Sequence, residues 1–342
     1  MKEGSLKYKL WFDISNSPHV LFFKPIIDIL SNEYEIVITS RDFSHTIELL
    51  RSFGINSTII GKHDGKNKFR KILGLFKRAF ELRSYIKDKG NISLSISHNS
   101  YHQILASKIL KIKSITFMDF EGQIANHIAF RLSDKVVVPK YFKREYLKIY
   151  GAKNVRFYSG LKEEVYLWNF YDSKDYILEL GISRDLPVCV VRPPAISSLY
   201  YKNNNLFYEV LKYVSKFSKV ILIPREKNDI YKLGISKLLN ENIFIPNKAL
   251  NGPRLLYWSD FVISGGGTMN RESALLGTKA YSIFQGIKSG VDEYLESIGM
   301  LKYINHPTEI KIEKKTKFEK LVNEPTVLNE IVEIIRETIK TT

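Results

Sequence analysis

Asp260-Phe-Val-Ile-Ser-Gly-Gly-Gly-Thr-Met-Asn-Arg-Glu-Ser-Ala-Leu-Leu-Gly277 reads in three pieces: an apolar strand, a triple-glycine turn at Gly265, Gly266 and Gly267, and a helix that ends at a further glycine. A short apolar run bounded by turn residues suits a strand covered on both faces in a parallel sheet. The glycines let backbone approach an anion, and the helix behind them offers unpaired N–H groups and about half a positive charge. A nucleoside diphosphate suits such a turn. Thr268 and Asn270 stand where they can serve phosphate or sugar, and Glu272 where it can accept from both ribose hydroxyls. Without a ligand the same residues would make a plain strand-to-helix turn.

Working outward, strands and helices alternate. Residues 7–13 (KYKLWFD) read as a buried strand, followed by a Ser/Asn/Pro loop and a helix over 19–32. Strands over 35–39, 57–60, 92–97 and 114–118 are interleaved with helices over 44–53, 67–87 and 101–110. Near residue 160 the alternation restarts, with strands over 188–192, 220–223 and 261–264, and helices over 204–217 and 229–240. Right-handed crossovers then give parallel, doubly wound sheets. The expectation is an α/β chain of two Rossmann-like domains facing a central cleft, 1–158 and 159–325, with a terminal helix within 326–342 packing back on the first. Ligands of such sheets sit beyond the carboxyl ends of the strands.

A chain of 342 residues with 44% apolar residues has enough to build two cores. Its longest apolar stretch, 20–30, is interrupted by Lys24 and Asp28, short of the roughly 20 residues of a spanning helix. The first ten residues lack the apolar core of a secretory signal, so a cytoplasmic protein is expected. Cys189 lies in an apolar run and reads as a buried structural thiol. The 52 Lys and Arg against 36 Asp and Glu favour an anionic partner: nucleic acid, a membrane surface or a phosphorylated substrate. Zinc-finger spacing, RNP-like aromatics and a basic-zipper pattern are all missing, so nucleic acid is not expected. Residues 66–89 hold nine basic and two acidic residues, with Phe69, Ile72, Leu73, Phe76 and Phe80 at helical spacing among Lys77, Arg78 and other cations. Such a helix reads as a membrane-surface segment, or as a crossover helix whose apolar stripe packs on the sheet.

The run SGGGTMNRESALLGTKA (264–280), with SIFQG (282–286) after it, resembles the donor half of GT-B enzymes related to the bacterial peptidoglycan-precursor N-acetylglucosaminyltransferase and to UDP-N-acetylglucosamine 2-epimerase. WFDISNSPH (11–19), TSRDF (39–43), GLKEEVYL (160–167) and GGGTMNRES (265–273) together resemble an archaeal and bacterial family of uncharacterised proteins of that fold. The resemblance implies that Glu272 binds ribose, that Gly160 opens the second domain beside the donor phosphates, and that Arg192, ending VCVVR (188–192), neutralises the leaving diphosphate. His19 matches a histidine that ends a glycine-rich loop in related transferases, a candidate base suited by an ordinary pKa near 6.5, although this loop lacks the glycines. In MDFEGQIAN (118–126) Glu121 matches an acceptor-site carboxylate and Asp119 replaces a histidine; one of the two orients His19 or is itself the base. The implied activity is inverting transfer of a sugar, N-acetylglucosamine by resemblance, from a UDP-sugar to a polyprenyl- or dolichol-pyrophosphate-linked acceptor in N-glycan or cell-surface glycan assembly. It would act on the inner face of the plasma membrane without metal or cofactor. The alternatives are a 2-epimerase, and a non-catalytic protein that binds nucleotide sugars or nucleic acid.

Overall fold

The computed structural model describes residues 8–43, 45–62, 68–194, 205–225 and 229–341, with backbone only for 62 and 68–75. It divides into two units: Met1–Tyr166 with Ser289–Val291 and Pro325–Thr342, and Leu167–Lys288 with Asp292–Glu324. Gly160 lies in the first.

Unit 1 holds β1 (Lys9–Ile14), α1 (Ser17–Leu30), β2 (Glu35–Asp42), α2 (Thr46–Ser52), β3 (Thr58–Lys62), α3 (Lys68–Lys87), β4 (Leu94–His98), α4 (Tyr101–Leu110), β5 (Lys113–Phe117), α5 (Asn126–Leu132), β6 (Lys135–Pro139), α6 (Arg144–Ile149) and β7 (Val155–Tyr158). Its parallel sheet has the order β3-β2-β1-β4-β5-β6-β7. The central strands are buried on both faces, β1 from Leu10 to Ile14 and β4 from Leu94 to His98, because helices cover both sides of the sheet. Helix α1 buries Val20, Phe22, Phe23, Ile26, Ile27 and Leu30.

Past the short α7 (Glu164–Leu167) and α8 (Tyr176–Glu179), unit 2 builds β8 (Val188–Arg192), α9 (Leu206–Val214), β9 (Lys219–Leu222), α10 (Asp229–Lys232), β10 (Ile243–Phe244), α11 (Gly252–Trp258), β11 (Phe261–Ser264), α12 (Gly267–Leu275), β12 (Lys279–Ser282), α13 (Gly290–Ser297) and β13 (Leu301–Tyr303). The order of this parallel sheet is β10-β9-β8-β11-β12-β13. The helix expected over 229–240 stops at Lys232, because Gly234 takes φ 67° and only a 3-10 turn, Ile235–Lys237, follows. Strands β6, β12 and β13 add to the alternation read from the sequence; at three to five residues they are too short to show a period.

The final helix, α14 (Thr326–Lys340), buries one stripe from Val327 to Ile339 and packs on α1 and β7 within unit 1. Glu330 accepts from the Ser159 N–H at 2.6 Å, and Arg336 pairs with Glu33 at the edge of that contact. Among the described residues no helix is long and apolar enough to cross a membrane.

Each sheet has one point where the strand order reverses: between β1 and β4 in unit 1, and between β8 and β11 in unit 2. Diverging crossovers leave a crevice at the carboxyl ends of such a pair, where ligands of doubly wound sheets bind. Asp13 pairs with Ser97 at the first point, and Ser264 with Arg192 at the second.

Candidate functional site

At the β8/β11 switch point, close packing explains the glycines. A Cβ on Gly265 would lie 2.6 Å from Pro194 Cα, and one on Gly266 would lie 2.7 Å from Arg225 Nη2. The Gly266 N–H donates to Ser264 Oγ at 3.0 Å, and no side chain caps α12, so its first N–H groups remain available to an anion. The helix is anchored from behind by Arg271, which donates to Asp292 at 3.0 Å, while Tyr303 donates to the same carboxylate at 2.8 Å.

Two guanidinium groups converge on this turn. Arg225 donates from Nε to Pro193 O at 3.0 Å, its own N–H being held by Asp229 at 2.9 Å. Burial, reinforced by the neighbouring positive charge of Arg192, pushes the Arg225 pKa down to about 10. Burial also lowers Arg192, with Glu272 and Asp229 pulling the other way, and its Nε donates to nothing among the described residues. Both stay cationic at neutral pH in a place where cations repel, which is what an anion would relieve. Asn270, 2% exposed, and Gln285, beyond the end of β12, each bury an amide oxygen that accepts nothing among the described residues. Glu272 is buried near Arg192, and Thr268 half-buried in the first turn.

In unit 1 the loop after β1 ends at Asn16, which caps α1; the helix starts at Ser17, and His19 sits inside its first turn rather than opening it. The His19 ring stacks on His98, with centroids 4.5 Å apart and planes 31° apart. His98 Nε2 is 3.3 Å from Asp119 Oδ1, and Lys162 Nζ donates to the other oxygen of Asp119 at 2.7 Å while lying 3.6 Å from Glu163. His19 and Asp119, read separately from the sequence, are thus joined through His98. Glu121 is placed differently: its Oε1 accepts from the backbone N–H groups of Lys143 at 3.0 Å and Gly290 at 3.1 Å, tying three segments together. Gly160 lies under the carboxylate of Glu164, which accepts from the Leu161 N–H at 2.8 Å.

The expectation of a histidine titrating near 6.5 needs correction. Burial first, then the nearby His98 and Lys162, hold His19 well below that value, against the opposing pull of Asp119. The imidazole is neutral at pH 7, and its Nδ1 is buried with no hydrogen-bond partner among the described residues. It is free to take a proton, but holding one requires a new negative charge nearby.

Residues 8–340 match the family described as Protein of unknown function (DUF354). The chain belongs to the DUF354 family. An uncharacterized protein of Methanocaldococcus jannaschii, MJ0665, is 29% identical over 318 residues, which is 88% of this chain and 89% of that one. Among solved structures, the DUF354 chain is similar to S. aureus MnaA with UDP (TM-score 0.75, 12% identity, 98% of both chains). It is also similar to the M. jannaschii UDP-GlcNAc 2-epimerase in complex with UDP-GlcNAc and UDP (TM-score 0.72, 12% identity, 96% of this chain and 99% of that one). At such identities the likeness establishes the fold, two Rossmann-like domains of GT-B type.

The site of this DUF354 chain includes residues that the sequence did not single out. Arg225 follows β9 in a loop with no motif, and His98 ends β4; both are signalled only by their place at the carboxyl ends of strands near the switch points. Arg78 is the main correction. Expected among the membrane-facing cations, it is 3% exposed and forks onto Asp13 at 2.8 and 2.9 Å, with its Nε donating to Ile60 O. A carboxylate at the buried end of β1 draws the guanidinium inward, where bidentate pairing outweighs its hydration. Lys77 is exposed, and Phe76 and Phe80 are 49% and 54% exposed. The side chains of Phe69, Ile72 and Leu73 lie outside the described residues.

Proposed function

We propose that this chain is a nucleotide-sugar enzyme that transfers a sugar, N-acetylglucosamine, from a UDP-sugar to an acceptor hydroxyl. The observation that carries the reading is the pair of half-buried arginines, Arg192 and Arg225, at the uncapped start of α12. In this reading the diphosphate lies against both guanidinium groups and the helix N-terminus, and Glu272 accepts from the ribose hydroxyls. The acceptor oxygen loses its proton to His19 and attacks the anomeric carbon on the face opposite the diphosphate. The bond from that carbon to the diphosphate oxygen breaks, and the charge released falls to the arginines. The exposed Phe76, Lys77 and Phe80 of α3 support attachment to an anionic membrane surface and, with it, a polyprenyl-pyrophosphate-linked acceptor.

One observation favours a second reading as a 2-epimerase: Asp119, Glu121 and Glu163 are buried carboxylates in unit 1, and moving a proton at a sugar carbon needs acids and bases of that kind. Incubation with UDP-N-acetylglucosamine alone separates the two. A new UDP-sugar epimer in the proton NMR spectrum would establish epimerisation, whereas release of UDP only when an acceptor is added would establish transfer. Calorimetry with UDP tests what both share: Arg225→Ala and Glu272→Ala should each weaken binding by about 10- to 100-fold, at about 1.4 kcal/mol per decade. Unchanged affinity in both folded variants would remove this turn from the nucleotide site. Loss of about 100-fold in turnover by His19→Ala, with UDP binding intact, would support its part as the base.

A further inference from the structure

Unit 1 has a second loop at its switch point that the chemistry above leaves largely unused: His98-Asn99-Ser100, leaving the carboxyl end of β4 beside β1. Asn99 sits at φ 53°, in the left-handed region that residues other than glycine seldom enter. The other described non-glycine residue in that region, Lys111, caps the end of α4, an ordinary place for it. Asn99 instead lies just before α4, with its N–H donating to Thr116 Oγ1 at 3.2 Å and its carbonyl accepting from the Tyr101 N–H at 3.1 Å. Backbone strain of this sort concentrates at ligand sites.

The side-chain amide is oriented by a one-way chain of hydrogen bonds. Phe120 C=O can only accept, so Asn126 turns Nδ2 to it at 3.1 Å and presents Oδ1 to Asn99. Asn99 answers with its own Nδ2 at 2.9 Å. Its Oδ1 is therefore an acceptor facing elsewhere, on a side chain only 6% exposed, and no group among the described residues donates to it. The flanking side chains are committed, His98 to Asp119 and Ser100 to Asp13 at 2.5 Å. Two residues earlier, the fully buried Ser97 Oγ also lacks a partner among the described residues.

We infer that Asn99 Oδ1 recognises the acceptor, taking a hydrogen bond from a hydroxyl or amide N–H of a sugar that enters beside His19. The sugar carries no anionic group at that point, because an amide oxygen can only accept and an anion has nothing to donate to it. This assignment rests on the nucleotide-sugar reading above, and Asn99 would set specificity rather than take part in bond making.

Asn99→Gly provides the test, because glycine enters φ 53° without strain and the loop can keep its course while losing the side-chain amide. The probe is N-acetylglucosamine, which carries both kinds of donor, titrated into the full chain holding saturating UDP. Wild-type protein should bind it, and Asn99→Gly should bind it about tenfold more weakly with UDP affinity unchanged, its melting temperature a few degrees lower because Asn126 Oδ1 loses its donor. Asn126→Ala, which breaks the same Asn99–Asn126 hydrogen bond but keeps the Asn99 oxygen, should retain sugar binding within about threefold. Equal sugar affinity in wild type and Asn99→Gly, or no sugar binding by a wild-type protein that binds UDP, overturns the assignment. Absence of UDP binding would instead bring down the nucleotide-sugar reading, and this assignment with it.

Discussion

Replacing Arg78 by methionine should damage unit 1 far more than the loss of one basic residue from a helix surface would. Asp13 is fully buried and takes both arms of the Arg78 fork, with further donors in Ser100 at 2.5 Å and Thr39 at 2.7 Å. Arg78→Met keeps the stem but strands the carboxylate, and breaking a buried pair in this way costs about 3–5 kcal/mol. The Ile60 carbonyl loses its donor as well. For a unit of this size the loss corresponds to a drop of roughly 6–20 °C in melting temperature. Scanning calorimetry measures it, and Trp11, whose Nε1 donates to Thr39 Oγ1 at 2.9 Å in the same network, reports it by fluorescence. Adding Asp13→Leu should recover most of the loss, because an apolar pair leaves no buried charge unpaired. Burial alone would raise the Asp13 carboxyl, but Arg78, Ser100 and Thr39 together hold it below its ordinary value. A depressed carboxyl pKa stabilises fully above the unfolded value of about 3.9 and is lost as pH falls through the folded one, so the penalty of Arg78→Met should shrink below about pH 4. A loss under about 1 kcal/mol, or a double variant as damaged as the single one, would refute the buried pair.

Acid should act on a neighbour of this pair. Burial first, then Arg78 and Arg41, push His102 down to about 3, against Asp13, so the unfolded chain takes this proton first and stability falls as pH drops below about 6.5. Between pH 6.5 and 4.5 this one residue should account for about 2 kcal/mol, read from urea midpoints, and His102→Gln should remove that share of the slope; an unaltered slope would contradict it. On the membrane side, wild-type protein should co-sediment with anionic vesicles less well as salt rises, and Phe76→Ser with Phe80→Ser should weaken that binding without lowering the melting temperature, because both rings are about half exposed. Lys77→Glu should reduce the salt-sensitive part. Unfolding of the phenylalanine variant with lipid affinity untouched would make α3 an ordinary crossover helix.

How much of the site could be read in the chain follows from how local each signal is. The Gly265–Gly267 turn was legible because strand, glycines and helix are contiguous, and their chemistry needs no partner from elsewhere. Asp119 and His19 stood out through the strands that precede them, but His98, which joins them, has no neighbouring motif and becomes visible only when β4 is placed next to β1. Arg225 is a similar case, since its worth lies in standing beside Arg192 and over Gly266, contacts made across a sheet. Arg78 was misread because helical spacing records which residues share a face, not what that face meets.

By itself, the sequence determined the α/β alternation, the strand-turn-helix unit at Gly265, and the burial of strands such as Val188–Arg192, because hydrophobic periodicity and turn chemistry act between near neighbours. Tertiary structure decided the strand order, and with it the switch points that place Asp13 beside Ser97 and Arg192 beside Ser264. It also decided the charge states: the lowered His19, the Arg192–Arg225 pair and the buried Asp13–Arg78 bridge depend on desolvation and on charges tens of residues away in the chain. Those energies exist only once the chain has closed around the groups that carry them.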